Sequence, residues 1–221
     1  QHCIEQHGTR PTAYLEQLGV VGPQVLLAHL LGLDQSEVEI MARTGTKGVV
    51  CPTAALKGGA GMTNTGLLPE MLDLGVTVGL GTDAGNNSNL IETMRSMYLV
   101  AVLYKDAREN TSAVPAETAL EMATIMGAKA LGMEDEIGSI EPGKKADLVL
   151  FDTQRPEWRN LFNPVNNLVY NADGRSVHTV IVDGRVLVEG HRAQFVDESE
   201  LIRKVQILGE QLMSRTSISF P

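Results

Sequence analysis

The sequence holds 221 residues, 43% of them hydrophobic and 20% charged, a globular composition with room for one large domain or a large and a small one. Its net charge of −9, with no block of Lys or Arg, argues against a nucleic-acid surface and leaves a small molecule as the expected ligand. No apolar run reaches the length of a membrane span and no secretory leader opens the chain, so a cytoplasmic protein with no membrane partner is expected.

The composition also constrains the interior. Four Phe, four Tyr and one Trp are too few to build it, so aliphatic residues must carry the core. Cys3 and Cys51, the two cysteines, form no disulfide framework and suit a reducing compartment.

Taken in chain order, the first strand candidate is 25–28, an apolar run that ends on His29. A helix follows, with Asp34 as N-cap, Glu37 three residues on at capping-box spacing, and Gly45 as its stop. A second strand at 48–51 leads into a Gly-rich loop over 57–61, and a short helix over 69–74 ends at Gly75. The third strand, 76–82, runs straight into Asp83, and two longer helices are expected over about 89–107 and 115–131. Strands this apolar on both faces, joined by helical crossovers, imply a buried parallel sheet. The polar residues of interest sit just past the strand ends, where parallel α/β folds place their chemistry, so the fold class is α/β, with a barrel preferred to an open sheet.

Character changes near Gly138. The segment 138–152 reads as a turn feeding a short strand, and 177–190 as a hairpin joined at Asp183-Gly184. A final amphipathic helix is expected over about 197–214, and no repeat of fixed period occurs. The expected organisation is an α/β domain over 1–135, a β-rich appendage over 136–196, and a C-terminal helix and tail over 197–221.

Four groups carry chemical potential: His2 with Glu5, His29, the loop from Cys51 to Gly61, and Asp83 with Asn86-Asn87-Ser88-Asn89. Each alone has an ordinary structural explanation. A His beside a strand end is usually a hydrogen-bonded structural residue, and an Asp after Gly-Thr commonly caps the next helix. Together they match the needs of a hydrolytic zinc site, which uses His and Asp ligands and leaves a position open for water. A bound metal lowers the pKa of that water, and a nearby carboxylic acid must carry the proton to the leaving group. His2 and Asp83 are the candidate ligands, and Glu5 the shuttle.

The run His2-x-x-Glu5, followed by Arg10-Pro11-x-x-Tyr14-Leu15-x-x-Leu18-Gly19, resembles the fifth barrel strand and helix of the cytosine-deaminase-like branch of the amidohydrolase superfamily. Leu26-Leu27-Ala28-His29 resembles its sixth strand, Val50-Cys51-Pro52-Thr53-Ala54-Ala55-Leu56-Lys57 its seventh strand and loop, and Leu80-Gly81-Thr82-Asp83 its eighth. The segment 138–152 resembles the strand by which these chains return to a small β-sandwich.

The resemblance implies the C-terminal half of a TIM-like (β/α)8 barrel plus the C-terminal strands of that sandwich. It implies hydrolytic deamination of a nitrogen heterocycle, or removal of its halide or alkylamine. One divalent metal is implied, zinc with iron as the alternative, and a homo-oligomer of two or more copies. His2 and Asp83 would bind the metal, and Asp83 would also take the proton of the attacking water. Glu5 would protonate the leaving nitrogen or the ring nitrogen beside the attacked carbon. His29 would hydrogen-bond the substrate or the developing oxyanion. Cys51, Thr53, Lys57, Asn86 and Asn87 would join His29 at the mouth of the pocket, against the substrate.

Two stretches depart from the pattern. Val50-Cys51-Pro52-Thr53-Ala54-Ala55 stands where many relatives have His-Asn-Pro-x-Ser-Asn, and Ala84-Gly85-Asn86-Asn87-Ser88-Asn89 replaces the common Gly-Ala-Ala-Ser-Asn. The His-x-His pair of the family's first strand is absent from the sequence. Cyclic-amide opening is therefore an alternative activity, and a catalytically incomplete chain an alternative reading. His7, His178 and His191 are expected to be structural or superficial, and Trp158 to be a packing anchor in the appendage.

Overall fold

The computed structural model describes residues 2–216. The chain divides into two compact units that are not contiguous in sequence. The first comprises the residues up to Lys144 together with Gln154–Gly174, and the second Lys145–Thr153 with the residues from Arg175 onward.

In the first unit, α1 (His2–His7) and α2 (Pro11–Gln17) precede β1 (Leu26–Ala28). The segment expected as a fifth barrel strand is thus helical. Among the described residues the outer edge of β1 pairs with no strand. A turn of helix instead closes hydrogen bonds within the segment, as in Gly8 N–H to the Ile4 carbonyl at 2.9 Å.

The next helix, α3 (Gln35–Thr44), begins and ends where its caps dictate. The Asp34 carboxylate accepts from the Glu37 amide, the Glu37 carboxylate accepts from the Asp34 amide, and Gly45 closes the helix at φ 72°. Glu37 is fully buried and also accepts from Arg10 Nε at 2.7 Å and from the Thr12 amide at 2.9 Å. The capping box therefore doubles as the anchor of α2 on α3.

Three parallel strands follow one another across a sheet, β1, then β2 (Lys47–Val50), then β3 (Val78–Leu80). Ala28 lies beside Val49, and Val50 beside Leu80. Between β2 and β3 come α4 (Pro52–Lys57), α5 (Met62–Thr65) and α6 (Leu68–Asp73). The loop expected from Lys57 thus follows a helix started by Pro52, whose fixed φ suits a first helical turn.

After β3 the chain forms α7 (Gly85–Ser88), α8 (Thr93–Ala107), α9 (Ala116–Ala123) and α10 (Ile125–Leu131). The single helix expected over 115–131 is broken at Thr124, which leaves the helical region at φ −127°, ψ −101°. Its hydroxyl donates to the Leu120 carbonyl at 2.7 Å, taking the place of the amide a continued helix would supply. Past the break, the backbone of α10 lies directly against β3: a Cβ at Gly79 would stand 3.2 Å from Gly127 Cα. Met41, Leu68, Met71, Val78, Val100 and Met122 are fully buried, the aliphatic and thioether core that the scarcity of aromatics implied.

The second unit holds an antiparallel sheet in the order β4 (Leu148–Phe151), β5 (Val177–Val182), β6 (Arg185–Glu189) and β7 (Arg192–Ala193). Asp183 and Gly184, at φ 49° and 74°, join β5 to β6 by the left-handed two-residue turn that suits strand twist. His178 and His191 meet edge to face here, ring centroids 5.3 Å apart. Between β4 and β5 the chain visits the first unit, through α11 (Pro164–Asn166) and a π-helical turn over Asn167–Asn171. Trp158 is a buried anchor, but of the first unit and not of the β-rich part. The last helix among the described residues is α12 (Glu198–Met213), with the Asp197 carboxylate accepting from the Glu200 amide at 3.0 Å. Among the described residues no helix is long and apolar enough to cross a membrane.

Candidate active site

Because β1, β2 and β3 run parallel, their C-terminal ends share one edge of the sheet, and each ends within three residues of a side chain singled out in the sequence. β1 delivers His29, whose amide donates to the Val49 carbonyl at 2.8 Å. β2 delivers Cys51, and Gly81 at the end of β3 donates to the Val50 carbonyl at 2.9 Å. Two residues on is Asp83.

His29 and Asp83 both adopt left-handed backbone, at φ 69° and 64°. Such conformations cost a non-glycine residue about 1–2 kcal/mol and persist where surrounding structure imposes them, commonly at functional sites. His29 Nε2 stands 4.0 Å from Asp83 Oδ2.

The Asp83 carboxylate is held by two short donors, the Ala84 amide to Oδ1 and Asn87 Nδ2 to Oδ2, each at 2.6 Å. The Ala84 amide, then Asn87, with a smaller contribution from His29, keep its pKa below the usual aspartate range, so it is ionised at neutral pH. Cys51 is buried against Gly81: a Cβ there would meet its Sγ at 3.0 Å. Burial, and next the charge of Asp83, push its thiol pKa up, so it sits at the site as a neutral thiol. Thr53, also buried, donates from its hydroxyl to the Thr82 carbonyl at 3.3 Å.

Lys57, exposed at the end of α4, reaches across to α7, donating to the Asn87 carbonyl at 2.8 Å and to Asn89 Oδ1. Asn86 is exposed on α7. Sequence reasoning missed Ser96, fully buried on α8, whose hydroxyl donates to the Gly81 carbonyl at 3.2 Å and braces the strand end. A polar residue among the apolar positions of that helix was the available signal.

The structure thus brings together His29, Cys51, Thr53, Asp83, Asn87 and Lys57. It does not add His2 and Glu5, which lie exposed on α1, to a metal-holding group: among the described residues no three His, Cys, Asp or Glu side chains converge to hold an ion. His7, on the same helix, stacks on Tyr14 with centroids 4.1 Å apart. A zinc site needs three or four protein ligands, and the cluster offers an ionised Asp83 and one imidazole. The residues present are therefore not a complete metal centre.

A sequence profile of the amidohydrolase family matches residues 1–187. The chain belongs to the amidohydrolase family. It is 32% identical over 212 residues to a 5-methylthioadenosine/S-adenosylhomocysteine deaminase of Syntrophobacter fumaroxidans, and 35% identical over 213 residues to a 5'-deoxyadenosine deaminase of Methanosarcina mazei. Each alignment covers 96% of this chain and 48% of the relative.

Among solved structures, a zinc-bound adenosine deaminase from Xanthomonas campestris superposes with a TM-score of 0.91 at 29% identity, over 96% of this chain and 48% of that one. The atrazine chlorohydrolase of Arthrobacter aurescens complexed with zinc superposes with a TM-score of 0.85 at 26% identity, over 93% and 45%. The chain spans about half the length of the relatives it matches.

Proposed function

We propose that this chain supplies one part of the active site of a hydrolase that cleaves a C–N bond of a nitrogen heterocycle, by deamination or by removal of an alkylamine, with dechlorination as the related reaction. The observation that carries the reading is the convergence of His29 and the ionised Asp83, both in left-handed backbone, at the C-terminal edge of a parallel sheet. The deaminase and chlorohydrolase names of relatives aligned over nearly the whole chain support it. In this reading β1, β2 and β3 are strands six to eight of a TIM-like barrel, and the antiparallel sheet is part of a small β-sandwich.

The proposed chemistry uses this chain's own groups. Water attacks an sp² ring carbon and gives its proton to Asp83, which is unprotonated and held in one orientation. Oxygen joins the ring, the C–N bond breaks, and the amine departs with a proton from Glu5. His29 donates a hydrogen bond to the negative charge that develops during attack. Cys51, Thr53 and Asn86 face the heterocycle. A divalent metal, zinc or alternatively iron, belongs to the proposal, with His2 and Asp83 among its ligands. Since the described cluster does not complete its coordination, no step is assigned to it. Assembly as a homodimer or larger, in a cytoplasmic setting, completes the reading.

A second reading has its own observation. With two donors brought together among the described residues where a zinc site needs three or four, the chain is read as catalytically incomplete on its own.

The experiment is a release assay on the purified protein supplied with zinc or iron. Its substrates are 5'-deoxyadenosine, S-adenosylhomocysteine and a chlorotriazine. Ammonia or chloride released with the ring intact, and lost in Asp83→Asn, is the expected result. Turnover retained in a folded Asp83→Asn protein overturns the assignment, and opening of a cyclic amide such as a hydantoin, with none of these three substrates turned over, points to cyclic-amide hydrolysis. A silent protein that holds no metal by elemental analysis supports the incomplete reading.

A further inference from the structure

We propose that Lys57 and Asn87, expected as substrate contacts, are positioning residues that hold the Asp83 carboxylate in place. The functional half of this inference rests on the hydrolase reading above, and its structural half does not.

The helix α7 has only four residues. Four residues are barely one helical turn, too few to be stable on their own backbone hydrogen bonds. Yet α7 carries Asn87, whose Nδ2 donates to Asp83 Oδ2 at 2.6 Å, the same oxygen that faces His29 Nε2. With the Ala84 amide on Oδ1, each carboxylate oxygen receives one donor and keeps lone-pair capacity for a proton or substrate. The carboxylate is therefore oriented without being consumed, provided that α7 stays where it is.

Lys57 is what holds α7. Its ammonium crosses from the end of α4 to the C-terminal end of α7, where helix carbonyls lack amide partners and a cation is favoured. It donates there to the Asn87 carbonyl and to Asn89 Oδ1. Asn89, in left-handed backbone at φ 58°, closes the turn and donates from Nδ2 to the Gly85 carbonyl at 3.2 Å. At the other end of α4, the Thr53 hydroxyl holds the Thr82 carbonyl. One short helix thus brackets Asp83 from both sides, and the Lys57 ammonium and Asn87 Nδ2 both donate to protein groups.

The test uses the 221-residue chain labelled with ¹⁵N, with the Asn87 side-chain amide pair assigned by its loss in Asn87→Ala. In Lys57→Met that pair is expected to move toward the free-amide position, and the amides of Asn87, Ser88 and Asn89 to exchange faster. Lys57→Arg, which keeps the cation, is expected to restore both in part. An Asn87 resonance and exchange pattern unchanged by Lys57→Met overturns the clamp.

The second arm is steady-state hydrolysis. Lys57→Met and Asn87→Ala are expected to lower kcat by roughly 10–100-fold, the usual effect of removing an orienting partner, with KM within about twofold. A raised KM at unchanged kcat would instead return both residues to substrate binding. If the unsubstituted protein turns over nothing, this chain by itself is not the working hydrolase, and the amide signals still decide the clamp.

Discussion

Replacing Glu37 tests the proposition that one buried carboxylate fastens the N-terminal helices to the sheet-bearing part of the first unit. Its oxygens accept from Arg10 Nε at 2.7 Å, from the Thr12 amide at 2.9 Å and from the Asp34 amide at 3.2 Å. The three donors differ in what they lose. The Thr12 amide has no solvent to turn to, since Thr12 is 2% exposed, and an orphaned buried amide costs about 1–3 kcal/mol. The Arg10 side chain is 32% exposed and keeps Asp34 at 2.9 Å, so its screened share is below about 1 kcal/mol. The Asp34 amide is a helix-entry donor that water can satisfy.

With the small void left by truncation, Glu37→Ala is expected to lose about 3 kcal/mol. Glu37→Gln, which keeps the volume but turns one acceptor into a donor, is expected to lose about 2 kcal/mol. For a chain of this size that corresponds to a Tm lower by roughly 4–12 °C, read by far-UV circular dichroism and checked by urea titration. Losses below about 0.5 kcal/mol in both variants would refute the reasoning, because they would mean that the Thr12 amide finds another partner.

Acid sensitivity should trace in part to Asp34. The Ser36 hydroxyl at 2.6 Å, then the Glu37 amide and the Arg10 charge, hold its pKa below the usual aspartate range. Its stabilising contribution is therefore complete above that range and is lost as pH falls through the depressed folded value. Urea midpoints for Asp34→Asn should converge on those of the unsubstituted chain toward pH 3, and a constant gap from pH 7 to 3 would contradict this. Two glycine replacements should have opposite signs. Gly79→Ala drives a Cβ to 3.2 Å from the backbone of Gly127, which cannot yield as a side-chain tip can, and should cost about 1–3 kcal/mol in a denaturation series. Gly209→Ala, inside α12 with open space around it, should raise helicity and stabilise α12 by up to about 1 kcal/mol; a loss of helicity would show that the position needs glycine.

The sequence was most readable where a local rule sufficed. The Asp34–Glu37 box and Gly45 bound α3, the Asp183-Gly184 pair turns β5 into β6, and the apolar runs before His29, Cys51 and Asp83 are strands in register on one sheet. It was least readable where non-local packing decided. The residues His2–His7 form a helix, its backbone bonds closed within the segment, where the resemblance implied a strand. Thr124 splits one helical pattern into two through a side-chain hydrogen bond that periodicity does not encode. Lys57 and Asn87 stood out as polar residues near the site, but what they touch depends on α4 and α7 meeting across about thirty residues of chain.

The interleaving of the two units has a consequence for synthesis on the ribosome. β4 emerges before the excursion over Gln154–Gly174, and its hydrogen-bonding partner β5 emerges only after it. At about 5–20 residues per second, β4 waits roughly one to five seconds without a mate. In that interval the returning segment, with Trp158 and Val169, delivers the last buried residues of the first unit. The order of translation thus lets the buried residues of the larger unit be complete before the smaller sheet can begin, and a stop codon placed directly after that of Gly174 would leave β4 without its partner.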